Sequence, residues 1–245
     1  MEDAIRRALL PTDIEIRSLP LSSNLAVART LLPLGVERAL DIGCGDGKFT
    51  RALTALAKNV GGIDVKANKI AEAREAAADA GASVDFKVGS GDALPYGDAS
   101  FDVVAFSNSL HHMPNPRTAL DEAIRVLRPD GLLYVMEPVP AGNYHEATKL
   151  VNDETVVRTD AYREILNLPS RGLKALEEIM YRGRREVASF DEWKADQIDR
   201  DAKRKALFDA RPEEVRTTFE SNADRSGGGF GFDQVFRVNV LQKES

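Results

Sequence analysis

The sequence predicts an α/β fold: a mostly parallel sheet with helices on both faces and a helical elaboration behind its fifth strand. Three observations predict it. Glycines recur at every second position in Gly43-Cys44-Gly45-Asp46-Gly47, directly behind the apolar run Ala39-Leu40-Asp41-Ile42. Four successive apolar runs between residues 38 and 107 each end in a polar, glycine-bearing or acidic loop. Segments with helical apolar spacing stand between those runs, and this alternation builds parallel strands joined by right-handed crossovers.

Residues 1 to 34 read as two short helices around the alternating stretch Ile14-Glu15-Ile16, the second capped at Ser22 or Ser23; they cover the sheet edge or the ligand. Arg38 to Ile42 is a short buried strand, the glycines are a tight turn, and Lys48 to Asn59 is a helix with Phe49, Leu53 and Leu56 on one face. That order places backbone N–H groups around a nucleotide-like ligand at the helix start. Gly61-Gly62-Ile63-Asp64 is a second strand ending in a carboxylate, where a dinucleotide-type fold sets an acid against two ribose hydroxyls. A helix over 67–80, closed by Gly81, leads to a strand over 84–88 and the turn Gly89-Ser90-Gly91-Asp92-Ala93-Leu94-Pro95.

The fourth strand, Phe101 to Phe106, runs into Ser107-Asn108-Ser109-Leu110-His111-His112. Polar loops at the ends of successive strands are where open α/β sheets bind ligands. A helix over 117–128, opened by Asn115-Pro116, breaks at Pro129-Asp130-Gly131, and Leu132 to Met136 is the fifth strand. From about 140 to 225 the texture is charged and helical. There Arg184 to Ala188 reads as a short strand, and Ser189-Phe190-Asp191-Glu192 matches a capping box that opens a helix. Ser226 to Gly231 reads as a flexible loop, and Phe232 to Leu241 alternates as the last strand.

The 245 residues suit one domain, divided into a helical cover (1–34), a ligand-binding core (35–138), a substrate-side elaboration (139–225) and a final strand (226–245). With one cysteine, Cys44, no disulfide forms within the chain and no structural thiolate zinc site exists, which fits a reducing cytoplasm. The first residues lack the apolar core of a signal peptide, and no run approaches the ~20 apolar residues that span a bilayer, so a soluble protein is expected. A formal net charge of −6 argues against a nucleic-acid partner.

The motifs Leu40-Asp41-Ile42-Gly43-Cys44-Gly45-Asp46-Gly47, Gly62-Ile63-Asp64, Gly91-Asp92-Ala93-Leu94-Pro95-Tyr96, Phe101-Asp102-Val103-Val104, Leu110-His111-His112 and Arg125-Val126-Leu127-Arg128-Pro129-Asp130-Gly131 stand in family order. Over residues 38 to 138 the chain resembles the class I S-adenosylmethionine-dependent methyltransferases, in the small-molecule (type 11) branch that includes the ubiquinone and menaquinone biosynthesis enzymes. The resemblance implies a Rossmann-like seven-stranded sheet whose last strand is antiparallel. It also implies S-adenosyl-L-methionine as cofactor, S-adenosyl-L-homocysteine as product and a small-molecule methyl acceptor. By position, Asp41 lies near the methionine amino group, and Gly43, Cys44 and Gly45 in the turn admit the cofactor backbone. Asp64, followed by Val65, takes the ribose hydroxyls, Asp92 with the Ala93 N–H reads the adenine edge, and Asn108 helps hold the methionine portion.

Methyl transfer from a sulfonium is an in-line displacement in which alignment does much of the work, and a base helps where the acceptor carries a proton. His111 and His112 are the base candidates, because they follow the fourth strand and titrate near neutrality. Adjacent histidines project differently and no carboxylate spacing completes a ligand set with His145, so no metal is expected. Tyr144, His145, Arg158, Arg163, Tyr181 and Arg237 are the residues to test for orienting an acidic or phenolic acceptor, and a small polar acceptor is favoured over a long isoprenoid. A nicotinamide dehydrogenase is disfavoured because the third glycine comes one residue early for Gly-x-Gly-x-x-Gly. A nucleic-acid methyltransferase lacks the basic surface, and a binding module without catalysis would have lost the cofactor acids. Oligomeric state, monomer or homodimer, stays open.

Overall fold

The computed structural model describes residues 16–225 and 228–245; Ile14 and Glu15, the helix expected before them, and Ser226 and Gly227 of the expected loop lie outside the described residues. Strands β1 (Val36–Ile42), β2 (Ala57–Asp64), β3 (Asp85–Val88), β4 (Phe101–Ser107), β5 (Leu127–Pro138), β6 (Leu173–Val187) and β7 (Phe230–Lys243) form one sheet. Its order is β3-β2-β1-β4-β5-β7-β6. The β1/β2, β1/β4, β2/β3 and β4/β5 pairs are parallel, and the last strands are antiparallel.

The helices are α1 (Asn24–Leu31), α2 (Lys48–Leu53), α3 (Ala67–Asp79), α4 (Pro116–Val126), α5 (Asn143–Thr148), α6 (Thr155–Leu166), α7 (Phe190–Arg200), α8 (Arg204–Ala210) and α9 (Pro212–Asn222). Their starts follow from capping chemistry. The Ser23 hydroxyl accepts from Ala26 N, Asn115 Oδ1 accepts from Thr118 N with Pro116 in the first turn, and the Ser189 hydroxyl accepts from Glu192 N.

The chain divides into two compact units. The first holds residues 23–137, 160–179 and 237–245. In it Leu40 and Ile42 of β1, Val104 and Phe106 of β4 and Leu133 and Val135 of β5 are buried with Ala119, Leu120 and Ala123 of α4. Side chains alternate across a strand, so Asp41, in register with Ala105 and through it with Tyr134, falls on the other face. The second unit holds 138–159 and 180–236 with the described residues before 23. Its core is aromatic: Trp193 lies 4.6 Å from Phe219 and 5.5 Å from Phe208, ring centre to ring centre, with Tyr144, Phe190 and Phe232 in the same cluster.

Two expectations need correction. The helix expected over 48–59 ends at Leu53, because residues from Ala57 onward pair with β1 (Val36 with Ala57, Arg38 with Asn59) and Glu37 holds Lys58 at 2.8 Å. Sheet pairing overrides helical spacing there. The short strand expected at 184–188 runs from Leu173 to Val187. Its polar positions find partners that apolar alternation does not reveal: Asn239 donates to Glu178 at 2.6 Å, and Arg182 and Arg184 both reach Asp233, at 2.7 Å and 3.3 Å.

Candidate active site

The site is built in the first unit, where β1, β2 and β4 end. The turn after β1 keeps Gly43 at φ +73°, Gly45 at +52° and Gly47 at +73°, the left-handed region that favours glycine. A Cβ at Gly43 would lie 2.6 Å from Ser109 Cβ, and one at Gly47 would lie 2.6 Å from the Phe86 ring, whereas one at Gly45 meets nothing within 4 Å. Packing therefore demands the outer glycines, and the middle one stands open. The amides of Gly43 and Cys44 donate to Ile63 O at 2.8 Å and 3.0 Å, stitching the turn to β2. Asp64 completes the stitch: Oδ2 accepts from Gly45 N and Oδ1 from Lys66 N, each at 2.9 Å.

Asp41 sits beneath this turn, buried on the face opposite the apolar core. Thr50 of α2 donates to its Oδ2 at 2.7 Å, and its buried Oδ1 has no hydrogen bond. Burial raises its pKa to about 7; Asp64 adds to the rise and the Thr50 bond opposes it. Asp92, after β3, is half-buried and also raised by burial, with a buried Oδ1 that lacks a hydrogen bond. A buried carboxylate oxygen without a hydrogen bond is what an amino group of a ligand would satisfy. Val65, beside Asp64, is 62% exposed. Met113 fills the gap between the glycine turns, its Cε 3.0 Å from where a Gly43 Cβ would lie and its Sδ 3.0 Å from a Gly91 Cβ. Cys44 is buried, and desolvation with the nearby Asp41 and Asp64 pushes its thiol up, so it packs under the turn instead of reacting.

The loop after β4 carries the second half. Asn108 holds a left-handed φ of +59° and is exposed, with its N–H donating to Met136 O at 2.7 Å. Ser109 Oγ donates to Ile42 O at 2.6 Å, tying this loop to the start of the glycine turn. Glu137, at the end of β5, then organises everything downstream. Its Oε1 accepts from the amides of Ser109 at 3.0 Å and Leu110 at 2.8 Å, while its Oε2 bonds His111 Nδ1. His111 and Glu137 are both buried, whereas His112 is exposed with its ring centre 3.9 Å from that of His111. An acid holding one imidazole nitrogen fixes the ring's tautomer and orientation.

The residues expected on the cofactor side, Asp41, Gly43, Cys44, Gly45, Asp64, Val65, Asp92, Ala93 and Asn108, all belong to the first unit. The acceptor-side residues have separate surroundings. Tyr144 lies in the aromatic core of the second unit, with Gln197 donating to its hydroxyl at 3.4 Å and Arg185 4.9 Å from its ring centre. Tyr181 stacks on Phe236 at 5.3 Å. His145 Nε2 is 3.4 Å from Thr155 Oγ1, and Arg158 pairs with Glu154. Arg163 pairs with Asp160 at 2.8 Å on the surface. Arg237, in the first unit, lies 3.8 Å above the Tyr162 ring and 3.4 Å from Glu178. Glu137, Thr50, Ser109 and Met113 escaped the sequence reading. Only Glu137 had a signal, a carboxylate closing an apolar strand as Asp64 does.

Part of the chain is similar to known methyltransferases. The family described as Methyltransferase domain matches residues 40–135. The 27-O-demethylrifamycin SV methyltransferase of Amycolatopsis mediterranei (strain S699) is 41% identical over 128 residues, 49% of this chain and 47% of that protein. The ubiquinone biosynthesis O-methyltransferase of Xylella fastidiosa (strain 9a5c) is 34% identical over 105 residues, 42% of this chain and 43% of that one. The matched stretch thus spans about half the length of these curated relatives. The B. subtilis YcgJ protein, a solved structure, superposes with a TM-score of 0.62 over 90% of this chain and 98% of its own at 20% identity, a likeness of fold. Residues 40–135 are therefore similar to a methyltransferase domain.

Proposed function

We propose that this protein transfers a methyl group from S-adenosylmethionine to a hydroxyl oxygen of a small-molecule acceptor, leaving S-adenosylhomocysteine. The observation that carries it is the buried His111–Glu137 pair, in which the carboxylate orients the imidazole and favours its protonated form. When bound, S-adenosylmethionine supplies an electrophilic methyl carbon on a positively charged sulfur.

The chain's own residues then have distinct tasks. Asp41 Oδ1 would receive the amino group, the lone pairs remaining on Asp64 the ribose hydroxyls, and Asp92 the adenine edge, the Ala93 N–H being held by Ser90 O at 3.3 Å. His111 would take the proton released from the acceptor hydroxyl as its oxygen is methylated, and Glu137 would stabilise the resulting imidazolium. A positioned base of this kind contributes about 10²- to 10⁴-fold. O-methylation is favoured over transfer to an unprotonated amine because such an amine needs no dyad. The named O-methyltransferase relatives point the same way. A reducing, cytoplasmic setting goes with the single thiol.

The test is calorimetric titration of wild type and Asp64→Ala with S-adenosylmethionine, S-adenosylhomocysteine and NADH, followed by an acceptor screen that detects the homocysteine product. Binding of both adenosyl ligands, lost in the variant and absent for NADH, supports the reading. NADH binding without adenosyl binding overturns it. Among the described residues no helix is long and apolar enough to cross a membrane.

A further inference from the structure

A second hollow lies in the first unit, at the far end of the sheet from the glycine turn. This cavity of about 400 Å³ is lined by Arg38 of β1, Asn59 and Gly61 of β2, Asp85 of β3, Phe101 of β4 and Tyr96 of the loop before β4. The parallel strands begin here, whereas the loops of the candidate active site stand where they end. Arg38 and Gly43 are five residues apart, roughly 16 Å along β1. The volume falls in the range of small-molecule sites, about 300 to 1,000 Å³.

Strand register accounts for the hollow. Arg38 pairs with Asn59, and Gly61 pairs with Leu40 on one side and Asp85 on the other, so these positions share one face. Gly61 brings no side chain to that face; a Cβ there would lie 3.3 Å from Leu40 Cδ1 and 3.5 Å from the Tyr96 hydroxyl. Tyr96 and Phe101 meet edge to face with ring centres 5.0 Å apart and supply an aromatic wall.

The neighbouring cations are paired. Lys58 binds Glu37 at 2.8 Å, Lys87 binds Asp85 at 3.2 Å and Arg128 binds Asp102 at 2.7 Å. Arg38 is the exception. Its backbone N–H donates to Asp102, but its guanidinium makes no ion pair or hydrogen bond among the described residues and lies 4.9 Å from the Phe101 ring centre. Tyr96 Oη is likewise buried without a hydrogen bond, and burial, with Asp85 adding to it, raises its pKa to about 12, so it stays a neutral donor. A guanidinium fork fits one carboxylate bidentately. A flat ring attached to that carboxylate covers the aromatic wall, while the exposed Asp85 repels a second negative charge.

We infer that this cavity binds a small aromatic monocarboxylate, with Arg38 gripping the carboxylate and the Tyr96 and Phe101 rings against the ligand's ring. The site stands apart from the glycine turn and does not rest on the methyltransferase reading.

The experiment titrates the full chain with 2-naphthoate, its neutral analogue 2-naphthamide and acetate, and follows backbone amide shifts by NMR in wild type and Arg38→Gln. 2-Naphthoate is expected to move the amides of Gly61, Asp85 and Phe101 and to bind wild type about tenfold or more tighter than either other probe; Arg38→Gln weakens it by about tenfold or more. No shift at those three amides, shifts confined to Asn108 to His112, equal binding of 2-naphthamide or acetate, or a folded Arg38→Gln that binds as wild type does would each overturn the inference. The comparison of the three probes on wild type decides the matter even where the variant fails to fold.

Discussion

Glu137 holds His111 by the imidazole and by the chain that leads to it: one carboxylate oxygen bonds Nδ1, and the other accepts the two amides immediately upstream. A glutamine in its place retains an acceptor for those amides but can present an N–H to Nδ1, which then carries the lone pair and leaves the proton on the wrong nitrogen. Glu137→Gln is expected to lower kcat by about 10²-fold or more, with the affinity for S-adenosylhomocysteine unchanged. Initial rates and calorimetry on the same preparation separate the two effects. An equal loss of cofactor binding would make the pair structural.

Asp41 makes the ligand-free protein sensitive to pH. Burial lifts its folded pKa from 3.8 to about 7, so its contribution to stability is full below the unfolded value and is lost as pH rises through about 7. Asp41→Asn has no such loss. The variant should gain on wild type by up to ~1.4 kcal/mol for each pH unit between the unfolded value of 3.8 and the folded pKa of about 7, and the difference should level off above that, read as melting temperature across a pH series. A cationic amino group beside Oδ1 abolishes the difference, so saturating S-adenosylmethionine brings the two proteins together and its binding below neutrality releases a proton. A melting difference independent of pH would count against the assignment.

How much of this was legible beforehand depends on what each residue answers to. Gly43, Gly45 and Gly47 announce themselves because a positive φ leaves few alternatives, and Asp64 because a carboxylate closes an apolar strand. Ser23, Asn115 and Ser189 were readable as caps for the same local reason. Ser109, Thr50 and Met113 act through partners 67, 9 and 22 to 70 positions away, and nothing in their neighbourhood marks them. Strand β6 hid because its alternating residues are charged and are satisfied by Asp233 and Asn239, so the apolar pattern that marks a half-buried strand is missing. Val156 and Val157 of α6 escaped for the opposite reason: they look like core in sequence and are exposed in the fold.

The outer and middle glycines of the turn should respond differently to one added methyl. Gly47→Ala combines a left-handed φ with a Cβ 2.6 Å from the buried Phe86 ring and 3.0 Å from Ala73 Cβ, and is expected to cost about 2 to 3 kcal/mol. Gly45→Ala meets no neighbour and costs about 1 kcal/mol from the backbone alone. Chemical denaturation of the two variants side by side checks the order, and equal losses would contradict it.

Arg237 ties α6 to β7 and β6 by covering the Tyr162 ring and facing Glu178. Desolvation lowers its pKa, with Tyr162 and Glu178 resisting the shift. Arg237→Met is expected to cost about 2 kcal/mol of stability, moderated by the partial exposure of Glu178. The affinity for S-adenosylhomocysteine should not change. A loss of acceptor turnover at constant stability would instead give Arg237 a place against the substrate.

Asp64 meets two amides of its own chain, Gly45 N and Lys66 N, before any ligand arrives. The carboxylate is therefore aimed in advance, and a sugar ring docking against it finds its partner already immobilised. The same economy limits redesign. Lengthening the acid by one methylene in Asp64→Glu would carry the oxygens past both amides, so altered nucleoside selectivity at this position demands a rebuilt turn as well as a new side chain.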